Sequence, residues 1–383
     1  MRMQFKDLPK VGAECKKYGV EAIQLVGWNK GGQDRGNPSH DPDPRLGTFE
    51  ELKQAIKEIR EMGIKLILFA KFNWAEQSIE EFKDIYEPLA IKDPYQNYYV
   101  HKGYQYMTLS QLTNINTRRL IPMCFGSDKY LEICKQEFQK CLDLEPDGIL
   151  YDECLYHSPT LCCFDTSHGH RYGASSFSWD ERLIQNFREM IGNKEFMIAG
   201  EAIYDFQYNY YDLSYARTWG CDHRPMSRYL RPNCDIMTAV AGFNERGMIN
   251  QCLMNRYIIS YEPYCFKGML SDFPDTVSYG EKMNQLRTDL REYFWDGEFT
   301  GQLNGQVKLT DESTWNYYSV FKGTNGKYGM VICNYDEENP IVVCPSLDNG
   351  QKLSHFRLID DTDTTEFSTT FTIPPKSAAA VIE

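Results

Sequence analysis

Amphipathic helix patterns alternate with short, uninterrupted apolar runs through the first three quarters of this chain, and few folds accommodate that alternation. Runs such as KLILFA, Lys65 to Ala70, lack the in-and-out alternation of a half-exposed strand, so both faces must be covered, as in a parallel sheet flanked by helices. A helix opening at Thr48, with Glu51 three residues on as a capping box, puts Phe49, Leu52, Ile56, Ile59 and Met62 on one face and stops at Gly63. Another, capped by Ser127 and running through Leu131, Cys134, Phe138 and Cys141, leads to a strand ending at Asp152. A third, with Leu183, Ile184, Phe187 and Ile191, leads to a strand ending at Glu201. Further strands are expected around Ile23 to Val26, Leu213 to Ala216, Ile236 to Val240 and Tyr257 to Ser260. The excursion from Phe72 to about Gly126 is too long for a plain connection and is expected to hold a helix and a loop that shapes a site.

From about Thr300 the texture changes to short runs separated by Gly, Asn and Asp turns, among them Tyr317 to Phe321, Tyr328 to Cys333 and Ala378 to Ile382. These read as an antiparallel β-sandwich. The expected fold is therefore α/β: a (β/α)8 TIM-like barrel over residues 1–298, followed by a sandwich over residues 299–383. Only seven barrel strands are countable where a closed barrel needs eight. Because the chain opens with the first helix, Leu8 to Tyr18, the missing strand is the first. Either Met3 to Phe5 is its remnant or, the reading favoured here, the chain is a piece of a longer protein.

A formal charge of -13 disfavours nucleic acid and anionic membrane surfaces as partners and suits a neutral substrate. Aromatic residues, 14% of the chain, include enough tyrosine and tryptophan to stack sugar faces, although most are expected in the core. No run approaches the roughly 18 apolar residues of a membrane span. Thirteen cysteines without regular spacing read as reduced, buried thiols of a cytoplasmic protein. Oligomeric state is not legible.

Asp152 and Glu201 each close an apolar run, GILYD and FMIAGE. On neighbouring parallel strands they would stand side by side at the C-terminal rim, where such barrels carry their chemistry. Glycosidic cleavage needs such a pair, one carboxyl to protonate the leaving oxygen and one to stay ionised beneath the anomeric carbon. Asp152 is the expected nucleophile and Glu201 the acid/base. Strand alternation points Glu153 away from Asp152, so only one of the two faces the axis.

DGILYDE, CFDTSHGH, AGEAIYD and GWNKGGQDRGNP followed by DPDPRLG together resemble an uncharacterised bacterial family of glycosidase-like barrels. That family is similar in layout to the α-amylase superfamily and, further off, to the α-galactosidases. The resemblance covers roughly residues 10 to 275. It implies a retaining glycoside hydrolase cleaving an α-linked sugar, with the superfamily's strand-four Asp and strand-five Glu falling on Asp152 and Glu201. There are two departures. Leu150 stands where the superfamily has an Arg two places before its nucleophile, and Asn244-Glu245-Arg246 stands where an Asn-His-Asp is expected. The α-galactosidase pattern instead makes Asp212 or Asp222 the acid.

Expected substrate contacts are Trp28 as platform, Asp34 and Arg35 on the same loop, Lys71, Asn73 and Trp74 after a strand end, and Glu153, His157, His168, His170 and Arg217. Cys162, Cys163, Asp165, His168 and His170 lie within nine residues and invite a zinc reading. Adjacent cysteines and a His-Gly-His step do not match the usual structural zinc spacings, so no metal and no other cofactor is expected. The alternatives to a hydrolase are a catalytically silent carbohydrate-binding barrel and a metal-dependent hydrolase using that Cys/His loop.

Overall fold

The computed structural model describes residues 3–32, 35–101, 120–154, 161–201, 205–218, 220–242, 244–262 and 268–383. Seven strands form one sheet in sequence order: β1 (Ala22–Leu25), β2 (Lys65–Ala70), β3 (Gly148–Tyr151), β4 (Met197–Glu201), β5 (Leu213–Ala216), β6 (Asp235–Val240) and β7 (Ile258–Tyr261). The pairs β1–β2, β2–β3, β3–β4 and β6–β7 are parallel. This is the expected TIM-like architecture with seven barrel strands among the described residues. Met3 to Phe5 is not a strand remnant: Phe5 opens a 3-10 turn, Phe5–Asp7, and buries its ring. The chain divides into two compact units, Met1–Leu213 and Ser214–Glu383.

Within the first unit the helices are α1 (Leu8–Lys17), α2 (Phe49–Glu61), α3 (Asp128–Asp143) and α4 (Asp180–Ile191). The capping box of α2 forms as read: the Glu51 N–H donates to the Thr48 hydroxyl at 3.1 Å, and the Thr48 N–H to the Glu51 carboxylate at 2.7 Å. Such a cap is worth about 1 kcal/mol. Ser127 occupies the N-cap of α3 without a side-chain bond. Helices α3 and α4 meet through Phe138 and Phe187, stacked with centroids 4.1 Å apart. Phe72 joins them, 4.8 Å from Phe187 and edge-on to Tyr151 at 5.5 Å. The residues next to Lys71 and Asp152 thus anchor both strand ends in the core.

The described part of the excursion after β2 holds no long helix. It contains a short antiparallel pair, Trp74–Glu76 with Leu120–Pro122, and single helical turns at Phe82–Tyr86 and Glu87–Leu89. Extended backbone at Trp74 follows from the bond of the Met123 N–H to the Asn73 carbonyl, which draws the segment back to the sheet end.

The second unit carries helices Arg246–Met254 and Pro274–Asp289 and then the sandwich. One sheet orders the strands Glu298–Gly301, Tyr318–Lys322, Tyr328–Asn334, Ser377–Ile382, His355–Leu358 and Thr365–Glu366; the other orders Gly305–Leu309, Ile341–Leu347 and Phe371–Ile373. Val320, Met330, Ile332 and Val381 from the first sheet share a core with Val307, Val343 and Ile373 from the second. Among the described residues no helix is long and apolar enough to cross a membrane.

Candidate active site

The register of the sheet sets the site. Ala70 lies opposite Tyr151, and Tyr151 opposite Gly200, so the next residues, Lys71, Asp152 and Glu201, emerge at one level from three adjacent strands. The Asp152 N–H extends the ladder by one bond, to the Ala70 carbonyl at 2.9 Å. Two glycines permit the close approach. A Cβ at Gly148 would stand 2.4 Å from the Met197 carbonyl oxygen, and one at Gly200 would press on Tyr211 at 2.9 Å.

Lys71 is buried and bridges two carboxylates: its Nζ is 2.9 Å from Asp152 Oδ2 and 2.6 Å from Glu153 Oε2. Burying three charges costs several kcal/mol per ion, which only close pairing offsets. Its backbone N–H donates to His40 Nε2 at 3.2 Å, and His40 stacks on Phe72 and donates its backbone N–H to the Glu137 carboxylate at 2.7 Å. His40 and Glu137 therefore fix the strand end that carries the ammonium, and neither shows a motif in the sequence.

Glu153 departs from the sequence expectation. Strand β3 ends at Tyr151, and Glu153 sits beyond it in the left-handed region with φ 49°, so strand alternation no longer governs its side chain. Both consecutive carboxylates consequently reach Lys71. A left-handed non-glycine residue costs on the order of 1–3 kcal/mol, and the surroundings hold it there. Its N–H donates to Glu201 Oε2 at 2.8 Å and its carbonyl accepts from the Asn73 side-chain amide. The Cys154 thiol donates to the Glu201 carbonyl at 3.0 Å, and the Gln207 amide to the same oxygen at 2.8 Å.

Asp152 and Glu201 are 5% and 7% exposed. Burial, the charge of Asp152 and a hydrogen bond with Asp152 together push the Glu201 carboxyl up to about 8, against the bond it receives from the Glu153 N–H. The pair thus sets a carboxyl that burial holds in its protonated form beside one that lies 2.9 Å from an ammonium.

The other expected residues scatter. Trp28 is 1% exposed with its indole N–H on the Phe69 carbonyl at 2.8 Å, which makes it packing beneath the rim rather than an open stacking face. Arg35 is half-buried in the loop after β1. Trp74 is buried against His101, ring centroids 5.3 Å apart. Asp34 and His157 lie outside the described residues. His168 and His170 belong to a separate cluster with Cys124 and Cys163.

Asp212 is not at the rim. It receives the Ile198 N–H at 2.8 Å and pairs with Arg188 at 2.7 Å, which places it at the opposite end of β4 from Glu201. In the second unit, Arg217 is exposed and lies over the Tyr215 ring at 5.0 Å, and Asp222 accepts from the Tyr317 hydroxyl at 3.0 Å. Glu262, which the sequence reading passed over, closes β7 as Glu201 closes β4. It is buried, accepts from the Tyr215 and Ser260 hydroxyls, and its carboxyl is pushed up by burial. The run IISYE carried the same signal as GILYD.

The family model for "Domain of unknown function (DUF6259)" matches residues 4–230, the whole stretch that carries Lys71, Asp152 and Glu201. The chain belongs to the DUF6259 family. No curated protein matches this DUF6259 member. Solved structures are similar to it over nearly its full length. A noncanonic maltogenic α-amylase from Thermotoga neapolitana has a TM-score of 0.64 at 11% identity, covering 99% of this chain and 94% of its own. The trehalose-6-phosphate hydrolase of Bacillus licheniformis has a TM-score of 0.64 at 12% identity, with coverages of 99% and 95%. The debranching enzyme of Nostoc punctiforme has 0.62 at 12%, with coverages of 98% and 88%. The expected likeness to amylase-type barrels is thus borne out at the level of fold.

Proposed function

We propose that this DUF6259 protein is a retaining glycoside hydrolase acting on an α-linked sugar, with Asp152 as nucleophile and Glu201 as acid/base. The observation that carries the reading is the pairing of a carboxyl pushed up to about 8, Glu201, with a carboxylate held beside Lys71, Asp152. A buried carboxyl that keeps its proton, next to a carboxylate that pairs with an ammonium, supplies an acid beside a nucleophile. Their emergence at one level from adjacent strands, about 4.8 Å apart, favours double displacement, because inverting pairs stand about 6.5–9.5 Å apart to admit water.

In the first step Glu201 gives its proton to the leaving oxygen as the glycosidic bond breaks, and an Asp152 oxygen bonds to the anomeric carbon. Water then attacks that carbon, its proton passing to Glu201, and the ester to Asp152 is released with net retention. Lys71 takes the place of the cation absent at Leu150: it is delivered from the adjacent strand and stabilises Asp152 as an anion. The α-linkage rests on the resemblance and on the neighbours named as α-amylases. The division into a barrel over 1–298 and a sandwich over 299–383 goes with the reading. So does a reducing compartment, since the cysteines among the described residues are free thiols.

The test is hydrolysis of nitrophenyl α-glycosides and malto-oligosaccharides by the full chain. Release of product that is lost in Asp152→Asn supports the proposal. Saturable sugar binding without any turnover supports a silent carbohydrate-binding barrel instead.

A further inference from the structure

Cys124, Cys163, His168 and His170 come from two segments 39 residues apart in sequence, and their ligand atoms all lie within 4.8 Å of one another. Cys124 follows the Leu120–Pro122 strand; Cys163 ends a two-residue strand, and His168 closes the 3-10 turn Thr166–His168. Gly169, left-handed at φ 84°, turns the chain so that His170 returns to the same point. The cysteines are fully buried and share an apolar nest with Ile91, Tyr99, Leu161 and Trp179.

The imidazoles are oriented as metal ligands are. His168 Nε2 is 2.8 Å from the Pro88 carbonyl oxygen, which only accepts, so Nε2 carries the proton and Nδ1 the lone pair. His170 Nδ1 likewise donates to the Arg171 carbonyl at 2.8 Å, leaving the lone pair on Nε2. Those two lone-pair nitrogens are the ones that face sulfur: Cys163 Sγ is 3.5 Å from His168 Nδ1, and Cys124 Sγ is 3.3 Å from His170 Nε2. A tetrahedron with metal–sulfur bonds of about 2.3 Å and metal–nitrogen bonds of about 2.0–2.1 Å has S···N edges of about 3.5 Å. The second nitrogen donating to a carbonyl is the usual outer partner of a ligating histidine.

We propose that these four residues bind one zinc ion in a closed Cys2His2 site. Four protein ligands fill a tetrahedron and leave no position for water, so the ion is structural, not catalytic. Asp165 and Cys162 are not ligands. The Asp165 carboxylate is taken by Lys92 at 2.7 Å and by the Ser167 N–H and hydroxyl, and Cys162 is the neighbour of Cys163 on an extended strand, half-exposed where Cys163 is buried. The ion ties the segment that leaves Lys71 and Asn73 to the segment that leaves Asp152 and Glu153. The link is short: Met123 donates to the Asn73 carbonyl, and Asn73 in turn holds the Glu153 carbonyl. The site is independent of the proposed hydrolase activity.

The experiment is metal analysis of the full chain purified under reducing conditions, followed by chelation and titration with zinc or cobalt(II). About one zinc per chain is expected, with a lowered thermal midpoint after chelation that zinc restores. Cobalt(II) is expected to give the strong visible bands of a tetrahedral ion and a thiolate charge-transfer band. Cys124→Ser and Cys163→Ser lose the metal, His170→Gln weakens its binding, and Cys162→Ser keeps it. If the cysteine variants do not fold, the cobalt spectrum of the parent and the His170→Gln titration decide. Protein that neither carries zinc nor takes it up, a cobalt spectrum without sulfur charge transfer, or a metal content unchanged in Cys124→Ser overturns the proposal, as does a Cys124–Cys163 disulfide in the purified chain.

Discussion

Lys71 Nζ stands 2.9 Å from Asp152 and 2.6 Å from Glu153, so one buried ammonium serves two consecutive carboxylates. The left-handed turn at Glu153 makes this possible, because in a continued strand the two side chains would leave on opposite faces. Glu201 then closes the arrangement from the other side by accepting the Glu153 N–H.

Removing the ammonium should unfold much of this. Lys71→Met takes the cation from the buried carboxylates of Asp152 and Glu153, and breaking a buried ion pair on one side costs about 3–5 kcal/mol. Urea denaturation at neutral pH checks the figure. A loss under about 1 kcal/mol would mean that the triad behaves as a solvated surface pair.

Asp152→Asn and Glu201→Gln remove no core volume, so both variants are expected to fold. Glu201→Gln should lower turnover by about 10²–10⁴-fold, the usual worth of a positioned acid, and less for substrates whose leaving group needs no proton. Asp152→Asn should abolish the covalent step for all of them. Steady-state kinetics on nitrophenyl and natural-type leaving groups separates the two roles, and equal losses on both substrates in Glu201→Gln would remove it from the acid position.

The pH dependence follows from the sign of the Glu201 shift. Its folded value of about 8 lies above the ordinary 4.5, so between these the folded chain holds a proton that the unfolded chain has released. Stability contributed by Glu201 is complete below about pH 4.5 and declines as pH rises through about 8. Urea midpoints of the parent and Glu201→Gln, measured from about pH 5 to pH 9, should diverge in favour of the variant as pH rises. In activity, kcat/KM of the parent should fall on the basic side with an apparent pKa of about 8. Parallel stability profiles for parent and variant would show that Glu201 is ionised in the folded protein at neutral pH.

What the sequence made legible was local. Apolar runs ending in a carboxylate located the ends of β3 and β4, and the capping box located α2, because each signal lies within a few residues. Glu153 was misread because the alternation rule holds only while the strand continues, and β3 stops at Tyr151. Asp212 is eligible as an acid by sequence, but it accepts the Ile198 N–H near the start of β4, at the other end of that strand from Glu201. The CFDTSHGH segment failed standard zinc spacings because its fourth ligand, Cys124, comes from a different loop. The placements of Asp212 and Cys124 are set by contacts made across the fold, for which spacing along the chain carries no signal.

The remaining prediction is stereochemical. Lys71, Asp152 and Glu201 leave three adjacent strands at one register level, and neighbouring strands lie about 4.8 Å apart. Carboxyls so placed can stand at the roughly 5 Å that double displacement uses, with an anomeric carbon and its oxygen between them. The first-formed sugar should therefore keep the α configuration of the bond that was cut. Proton NMR of the product before mutarotation reads this directly. A β anomer formed first would mean that water, not Asp152, attacks the anomeric carbon; Asp152 would then act as the base that activates it, and the Glu201–Asp152 contact would have to open far enough to admit that water.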